Sequence, residues 1–309
     1  MSATTSRRKL LPAALTVVTL VFSASALWAQ GGGAGRGIGF LDVLLLPRVW
    51  VGALFCMAGL ALLMTSRLSR NLRLALLPVM FFAFAVLWML PLGRFAQGMG
   101  PHPSPLCTVT KPFLFVRDGY SVPVAFWAIF FSMAVMSVVG NKLYCGWVCP
   151  IGAAQEICHR IPLPARMKRR LSFRMTNIVR VVVFIAFVVA VAAAGVIIYD
   201  YANPFEMLHW QFEAGALAAL LLTLAAGVFI FRPFCYLLCP LGLLTWGLEH
   251  ISAFRVRVDK GLCTECDICV DESPCPAVRA ILDGKRSRPD CHACGRCIEV
   301  CPEGALKFK

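Results

Sequence analysis

Long apolar runs separated by short basic loops dominate the first 230 residues. Six segments without a charged side chain stand out, at 10–29, 49–65, 74–92, 122–140, 181–198 and 214–231. Each holds 17 to 20 residues, close to the ~20 that an α-helix needs to cross the hydrocarbon core. The pattern predicts a membrane all-α bundle of five or six transmembrane helices. The count turns on 10–29: Arg7, Arg8 and Lys9 precede it, and Ala24-Ser25-Ala26 resembles a signal-peptidase site. A retained helix makes six crossings and a cleaved signal five. Past residue 250 the long runs stop. Short β-prone pieces at 254–258 and 305–308 flank cysteine-rich loops, which predicts a small α+β domain. The expected divisions are 1–48, a signal-like or first membrane segment with its Gly-rich linker; 49–250, the polytopic domain; and 251–309, the tail domain.

Composition supports the membrane reading. Hydrophobic residues make up 59% and charged residues 15% of the 309-residue chain, against ~25% charged in ordinary globular domains. The net charge of +14 raises the question of nucleic acid, but its distribution argues against that partner. Residues 251–309 hold ten Lys/Arg and nine Asp/Glu, so the excess lies in the loops between apolar runs. With the N-terminus inside, the inner segments 1–9, 66–73 and 141–180 carry 14 basic residues. The outer segments 30–48, 93–121 and 199–213 carry five. The positive-inside bias therefore predicts a cytoplasmic tail domain, where thiols stay reduced. Arg166, Lys168, Arg169, Arg170 and Arg174 read as a basic anchor that meets anionic membrane lipid, or else docks an acidic partner. No predicted span contains an ionisable residue, which argues against a transporter.

The chemistry lies in the cysteines. Cys263, Cys266 and Cys269 are followed by Cys275-Pro276; Cys291, Cys294 and Cys297 are followed by Cys301-Pro302. Three thiolates at this pitch wrap three corners of an iron–sulfur cube, and in two-cluster ferredoxins the distant fourth Cys caps the other cube. That pattern groups Cys263, Cys266, Cys269 and Cys301 around one [4Fe–4S] cluster, and Cys291, Cys294, Cys297 and Cys275 around a second. Structural zinc, which takes two Cys-x-x-Cys arms per ion, fits the triplets less well. Five residues separate Cys269 from Cys275 where three are usual, so Val270–Pro274 must bulge.

A second motif recurs at a 90-residue offset. Tyr144-Cys145-Gly146-Trp147-Val148-Cys149-Pro150-Ile151-Gly152 matches Phe234-Cys235-Tyr236-Leu237-Leu238-Cys239-Pro240-Leu241-Gly242. Each copy directly follows an apolar run, so both are expected at the same membrane edge. Cys145, Cys149, Cys235 and Cys239 are candidates for a further cluster or a redox dithiol, the alternative being small buried residues at helix ends. Cys56 reads as core, and Cys107 and Cys158 as isolated thiols. None of the five His lies in a predicted span, which removes the intramembrane pair of a b-type haem.

These motifs together resemble the NapH/MauN group of ferredoxin-type membrane proteins, over roughly residues 74–309. The resemblance implies an integral membrane iron–sulfur protein of the bacterial inner membrane. It would pass electrons between the quinone pool and a partner redox enzyme, of the periplasmic nitrate reduction or the methylamine utilisation type. The additional N-terminal segment favours the methylamine branch. His102 and His209, in outer loops beside Glu206, are candidate proton acceptors for a quinol. The alternative function is a maturation factor that supplies electrons for cofactor assembly in a partner enzyme.

Overall fold

Five of the six apolar segments form helices in the computed structural model, which describes residues 39–210, 213–285 and 290–309. The segment 10–29 lies outside the described residues. The helices are α1 (Phe40–Leu44), α2 (Pro47–Met64), α3 (Arg70–Phe81), α4 (Gly93–Gly98), α5 (Cys107–Arg117), α6 (Val124–Val139), α7 (Leu143–Trp147), α8 (Pro150–His159), α9 (Phe173–Ala194), α10 (Ala214–Phe229), α11 (Pro233–Leu237) and α12 (Pro240–Glu249). The tail adds α13 (Ile268–Glu272), α14 (Ala277–Leu282) and α15 (Arg296–Glu299). Among the described residues, three helical segments are long and apolar enough to cross a membrane: α2, α3 with its continuation to Met89, and α9. Helices α6 and α10 have 16 residues each, about 24 Å. They stop short because the chain then enters the left-handed region at Lys142 (φ 62°) and Arg232 (φ 49°), where each cysteine motif begins.

Local chemistry explains the breaks. Pro78 removes a helical N–H donor, and the chain loosens into a π turn at Phe82–Val86 just beyond it. Gly195, at φ 70°, closes α9 as a left-handed cap. On α2 the buried positions Gly52, Cys56, Gly59 and Leu63 form one stripe, with Cys56 as a core residue.

The tail domain carries the two expected strands, β1 (Val256–Val258) and β2 (Leu306–Phe308), paired antiparallel with Arg257 opposite Lys307. It seats on one end of the bundle. Ala253 and Phe254 donate backbone hydrogen bonds to the last carbonyls of α6, and Arg70 N, opening α3, donates to Glu299. Arg170, just before α9, donates to Val270 O at 2.6 Å, and Arg169 N bonds Phe229 O at the end of α10. At the other end, Arg48 holds Gly100 O and Pro103 O, while Lys111 pairs with Asp200.

Candidate metal centres

The twelve predicted site cysteines gather into three groups of four. The first belongs to the repeated motif. Each copy runs from a span through a left-handed residue and one helical turn (α7 or α11), then breaks at Cys-Pro and starts a ten-residue helix (α8 or α12). Pro150 and Pro240 suit that start, because a first-turn residue needs no N–H and proline's φ is already helical. Cys149 and Cys239 thereby become N-caps. Gly242 N donates to Cys239 Sγ at 3.4 Å, whereas the Cys149 side chain accepts no such cap bond. The Cys149 thiol lies within electrostatic range of Cys145, Cys235 and Cys239.

The two copies interlock. Helix α8 packs on α10, the apolar helix before the second copy, and α12 packs on α6, the apolar helix before the first. Side chains cross in the same way. Gln155 Nε2 donates to Cys235 Sγ at 3.6 Å, and Thr245 Oγ1 stands 3.9 Å from Cys145 Sγ. Gln155 and Thr245 are themselves 90 positions apart, as are the fully buried Lys142 and Arg232. Arg232 donates to Cys145 O at 2.6 Å, and Lys142 to Gly242 O at 3.0 Å. Cys149 and Cys239 therefore stand at two helix N-termini, and Lys142 and Arg232 bond carbonyls of the two motif copies beside the thiols.

Glu156 neutralises one half of this arrangement, bonded by Arg73 at 3.0 Å and Arg232 at 2.6 Å. Burial pushes its carboxyl up, but Arg73 and Arg232 outweigh that and hold it well below the usual carboxylate range. Asp290 serves the other half, pairing with Lys142 and, at 2.9 Å, with Arg180. Buried Arg73 on α3 and Arg180 on α9 correct the expectation of helices free of ionisable residues: both helices begin before the apolar runs do.

The motif also lies deeper than its sequence position suggests. Trp147 packs on Gly59, where any side chain would overlap it, and Val148 lies against Gly52. Gly52 is about 8 Å along α2 from Pro47 and about 18 Å from Met64. This thiol group is inside the bundle rather than at its edge.

The second group comprises Cys275, Cys291, Cys294 and Cys297, mutually within electrostatic range. Burial raises all four thiols, Cys275 to about 12. The group is fastened to the first. Trp147 Nε1 donates to Ala293 O at 3.1 Å and Tyr236 OH to Asp290 O at 3.2 Å, while His292 O meets the bare face of Gly146. Gly146 and Tyr236 occupy equivalent places in the two copies: one admits the tail loop and the other bonds it.

Cys263, Cys266, Cys269 and Cys301 form the third group, lining one small cavity. Cys266 is exposed. The five residues between Cys269 and Cys275 are taken up by α13 and its exit, with Val270 and Asp271 carbonyls held by Arg170. Among the described residues, no three His, Cys, Asp or Glu side chains close on a point as the ligands of one ion do; the thiols of the third group stand around a space.

On the face opposite the tail, the His102 and His209 rings pack edge to face, 5.7 Å apart. Burial, then neighbouring cations, lowers the pKa of His102; burial, then His102 and Arg48, lowers that of His209. Glu206 is raised by burial and by Asp200. A narrow cavity lies between these loops and the first motif, touching Arg48, Phe84, Met99, Tyr144, and Val148 and Pro150 on either side of Cys149, but no thiol. Cys107 is buried near Ser104, and Cys158 is half-buried.

One model of a 4Fe-4S binding domain matches residues 122–173 and 214–258, the two copies of the membrane motif, and a second such model matches 289–307. Cys263, Cys266, Cys269 and Cys275 lie outside both matches. The ferredoxin-type protein NapH of Haemophilus influenzae is 29% identical over 192 residues, 56% of this chain and 63% of that protein. NapH of Escherichia coli is 30% identical over 178 residues, 54% and 61% of the two chains. The chain is homologous to the NapH and MauN ferredoxin-type proteins. The methylamine utilization ferredoxin-type protein MauN of Methylobacillus flagellatus is 27% identical over 247 residues, 74% of this chain and 84% of its own length. The chain thus spans a little over three-fifths of its NapH relatives. No solved structure matches it. As a NapH/MauN homologue with 4Fe-4S domains and apolar membrane-length helices, it is an iron–sulfur membrane protein.

Proposed function

We propose that this protein carries electrons between a membrane quinone pool and a partner redox enzyme, using two [4Fe–4S] clusters in the tail and a third cluster in the bundle. The observation that carries the reading is the serial order of the thiol groups. The bundle group lies beneath the cavity of the opposite face, the Cys275 group is bonded to it, and the Cys263 group presents exposed Cys266 to a partner. Iron–sulfur clusters supply one-electron steps at potentials set by charge, hydrogen bonds to sulfur and burial. In this assignment Cys263, Cys266, Cys269 and Cys301 hold the outer tail cluster, Cys275, Cys291, Cys294 and Cys297 the inner one, and Cys145, Cys149, Cys235 and Cys239 the third. The Gly242 N–H and Gln155 contacts support a cluster over a dithiol in the bundle, because they donate to the sulfurs of Cys239 and Cys235.

A quinol oxidised to quinone releases two electrons and two protons. His102 and His209 would take the protons, since both are held neutral at pH 7. Arg48 and Tyr144 would orient the headgroup oxygens from the cavity wall. The tail side is taken as cytoplasmic in a bacterial inner membrane, from the basic loops. The long MauN match supports methylamine utilisation over nitrate reduction.

Two measurements test this. Anaerobic mixing with a reduced short-chain quinol should bleach the cluster absorbance within seconds. Bleaching by dithionite but not by quinol would refute the quinone role, and an immature partner enzyme in a deletion strain would then favour maturation. Iron and sulfide analysis should give about twelve iron atoms per chain, falling to about eight in a Cys149→Ser/Cys239→Ser variant. About eight in the wild type would remove the bundle cluster.

A further inference from the structure

The sequence reading leaves the basic segment at 166–174 as a general anchor; the fold gives part of it a cavity. An opening of about 400 Å³ lies between the loop after α8, the end of α10 and the tail domain. Six cations line it, Arg70, Arg160, Lys168, Arg169, Arg170 and Arg296, against three acids. Those acids bring little free negative charge. Glu156 is shared among Arg73, Arg160 and Arg232, and Glu272 pairs with Arg296, which leaves Asp271. Among the described residues Arg70, Lys168, Arg169 and Arg170 have no carboxylate partner in an ion pair, and Lys168 and Arg170 instead donate to backbone carbonyls. The wall also contains Ser273, 1% exposed, whose hydroxyl has no hydrogen-bond partner among the described residues. A buried hydroxyl left unpaired is destabilising, so a ligand acceptor at this wall would be favourable.

We infer that this cavity binds the phosphate of an anionic phospholipid headgroup. Clustered guanidinium and ammonium groups with a hydroxyl donor match a phosphate's several acceptor oxygens. Placement selects a lipid over a soluble phosphate. Arg70 opens α3, Arg169 and Arg170 precede α9, and Phe231 follows α10, so three membrane helices end at the rim, at headgroup level. Leu72 and Leu74 in the first turns of α3, and Met175 and Ile178 in the first turns of α9, are exposed apolar residues close in sequence to the rim cations, available to acyl chains. Cys294 also lines the cavity, which puts the bound headgroup beside a sulfur of the inner tail group. The inference concerns lipid alone and does not depend on the quinone reading.

The test uses the full-length protein, purified anaerobically and reconstituted in nanodiscs of phosphatidylcholine with one part in ten phosphatidylglycerol. Native mass spectrometry of the released complex should show phosphatidylglycerol retained well above its bulk share. Retention should fall ~5-fold for each of Arg169→Gln and Arg170→Gln. Ser273→Ala should weaken it while changing no charge, which separates a built site from a diffuse basic surface. Unchanged cluster absorbance in each variant excludes unfolding. As a readout without variants, phosphatidylglycerol should raise the thermal midpoint of the wild type in detergent more than phosphatidylcholine does. Retained lipid at the bulk ratio would overturn the proposal. So would inorganic phosphate at millimolar level displacing the lipid, because the site would then be one for free phosphate.

Discussion

At the scale of single residues, buried ion pairs anchor the structure more than the cysteines alone reveal. Glu156 accepts from three guanidinium groups at 2% exposure, and Asp290 joins Lys142 and Arg180 in a space equally closed. Removing one partner of such a set leaves an uncompensated charge, with a cost of ~3–5 kcal/mol. Glu156→Gln and Asp290→Asn should each lower the denaturant midpoint sharply in detergent, whereas Asp267→Asn, which frees only exposed Arg279, should leave it unchanged. The histidines give a second prediction. Because the pKa values of His102 and His209 lie below the ordinary 6.5, both accept protons at pH 7 and lose that capacity on acidification. Quinol-driven bleaching should be flat near neutrality and fall as pH drops below 6.5. His209→Gln should lower the plateau ~100-fold and leave an acid limb set by His102 alone. The cysteine groups were legible in the sequence, because three thiols at i, i+3, i+6 carry their own geometric meaning. Lys142 and Arg232 were half-legible, three residues ahead of the first Cys in both copies. Asp290 was not, since its partners are more than a hundred residues away and only the docked tail brings them together.

At the scale of elements, the two motif copies read as extensions of their spans and fold as something else. A left-handed residue, one turn, and a Cys-Pro break redirect the chain, so that α8 and α12 pack back along the bundle. Pro150 and Pro240 announced the break; the depth of the thiols depended on Gly52 and Gly59 of α2 admitting Val148 and Trp147, a contact that apolar periodicity does not encode. The tail strands were legible from their β-branched and aromatic alternation and form in register at 256–258 and 306–308. Gly146 tests the joint between the elements. A methyl there would overlap His292 O, so Gly146→Ala must displace the Cys291–Cys294 loop. Partial proteolysis should then release the tail domain faster than in the wild type, with the electron paramagnetic resonance signal of one cluster broadened and the helical circular dichroism intact.

At the scale of the whole molecule, the described apolar helices alternate so that tail contacts fall near Arg70, Val139 and Arg170 as well as on the two cysteine motifs, and the His102 loops lie at the other end. Loop charge and fold therefore agree on which ends share a side. A fluorescent protein fused after Lys309 should glow in the cytoplasm, and alkaline phosphatase inserted at Gly119 should be active outside; the reverse result would invert the orientation. The exchange of contacts between the two motif copies has a further consequence. Gln155 attends a sulfur of the later copy and Thr245 one of the earlier, so neither copy could assemble a working centre from its own parts. A chain cut between the copies would be expected to regain its bundle centre only when both fragments are made in the same cell. A lone fragment could manage it only by pairing with its own twin.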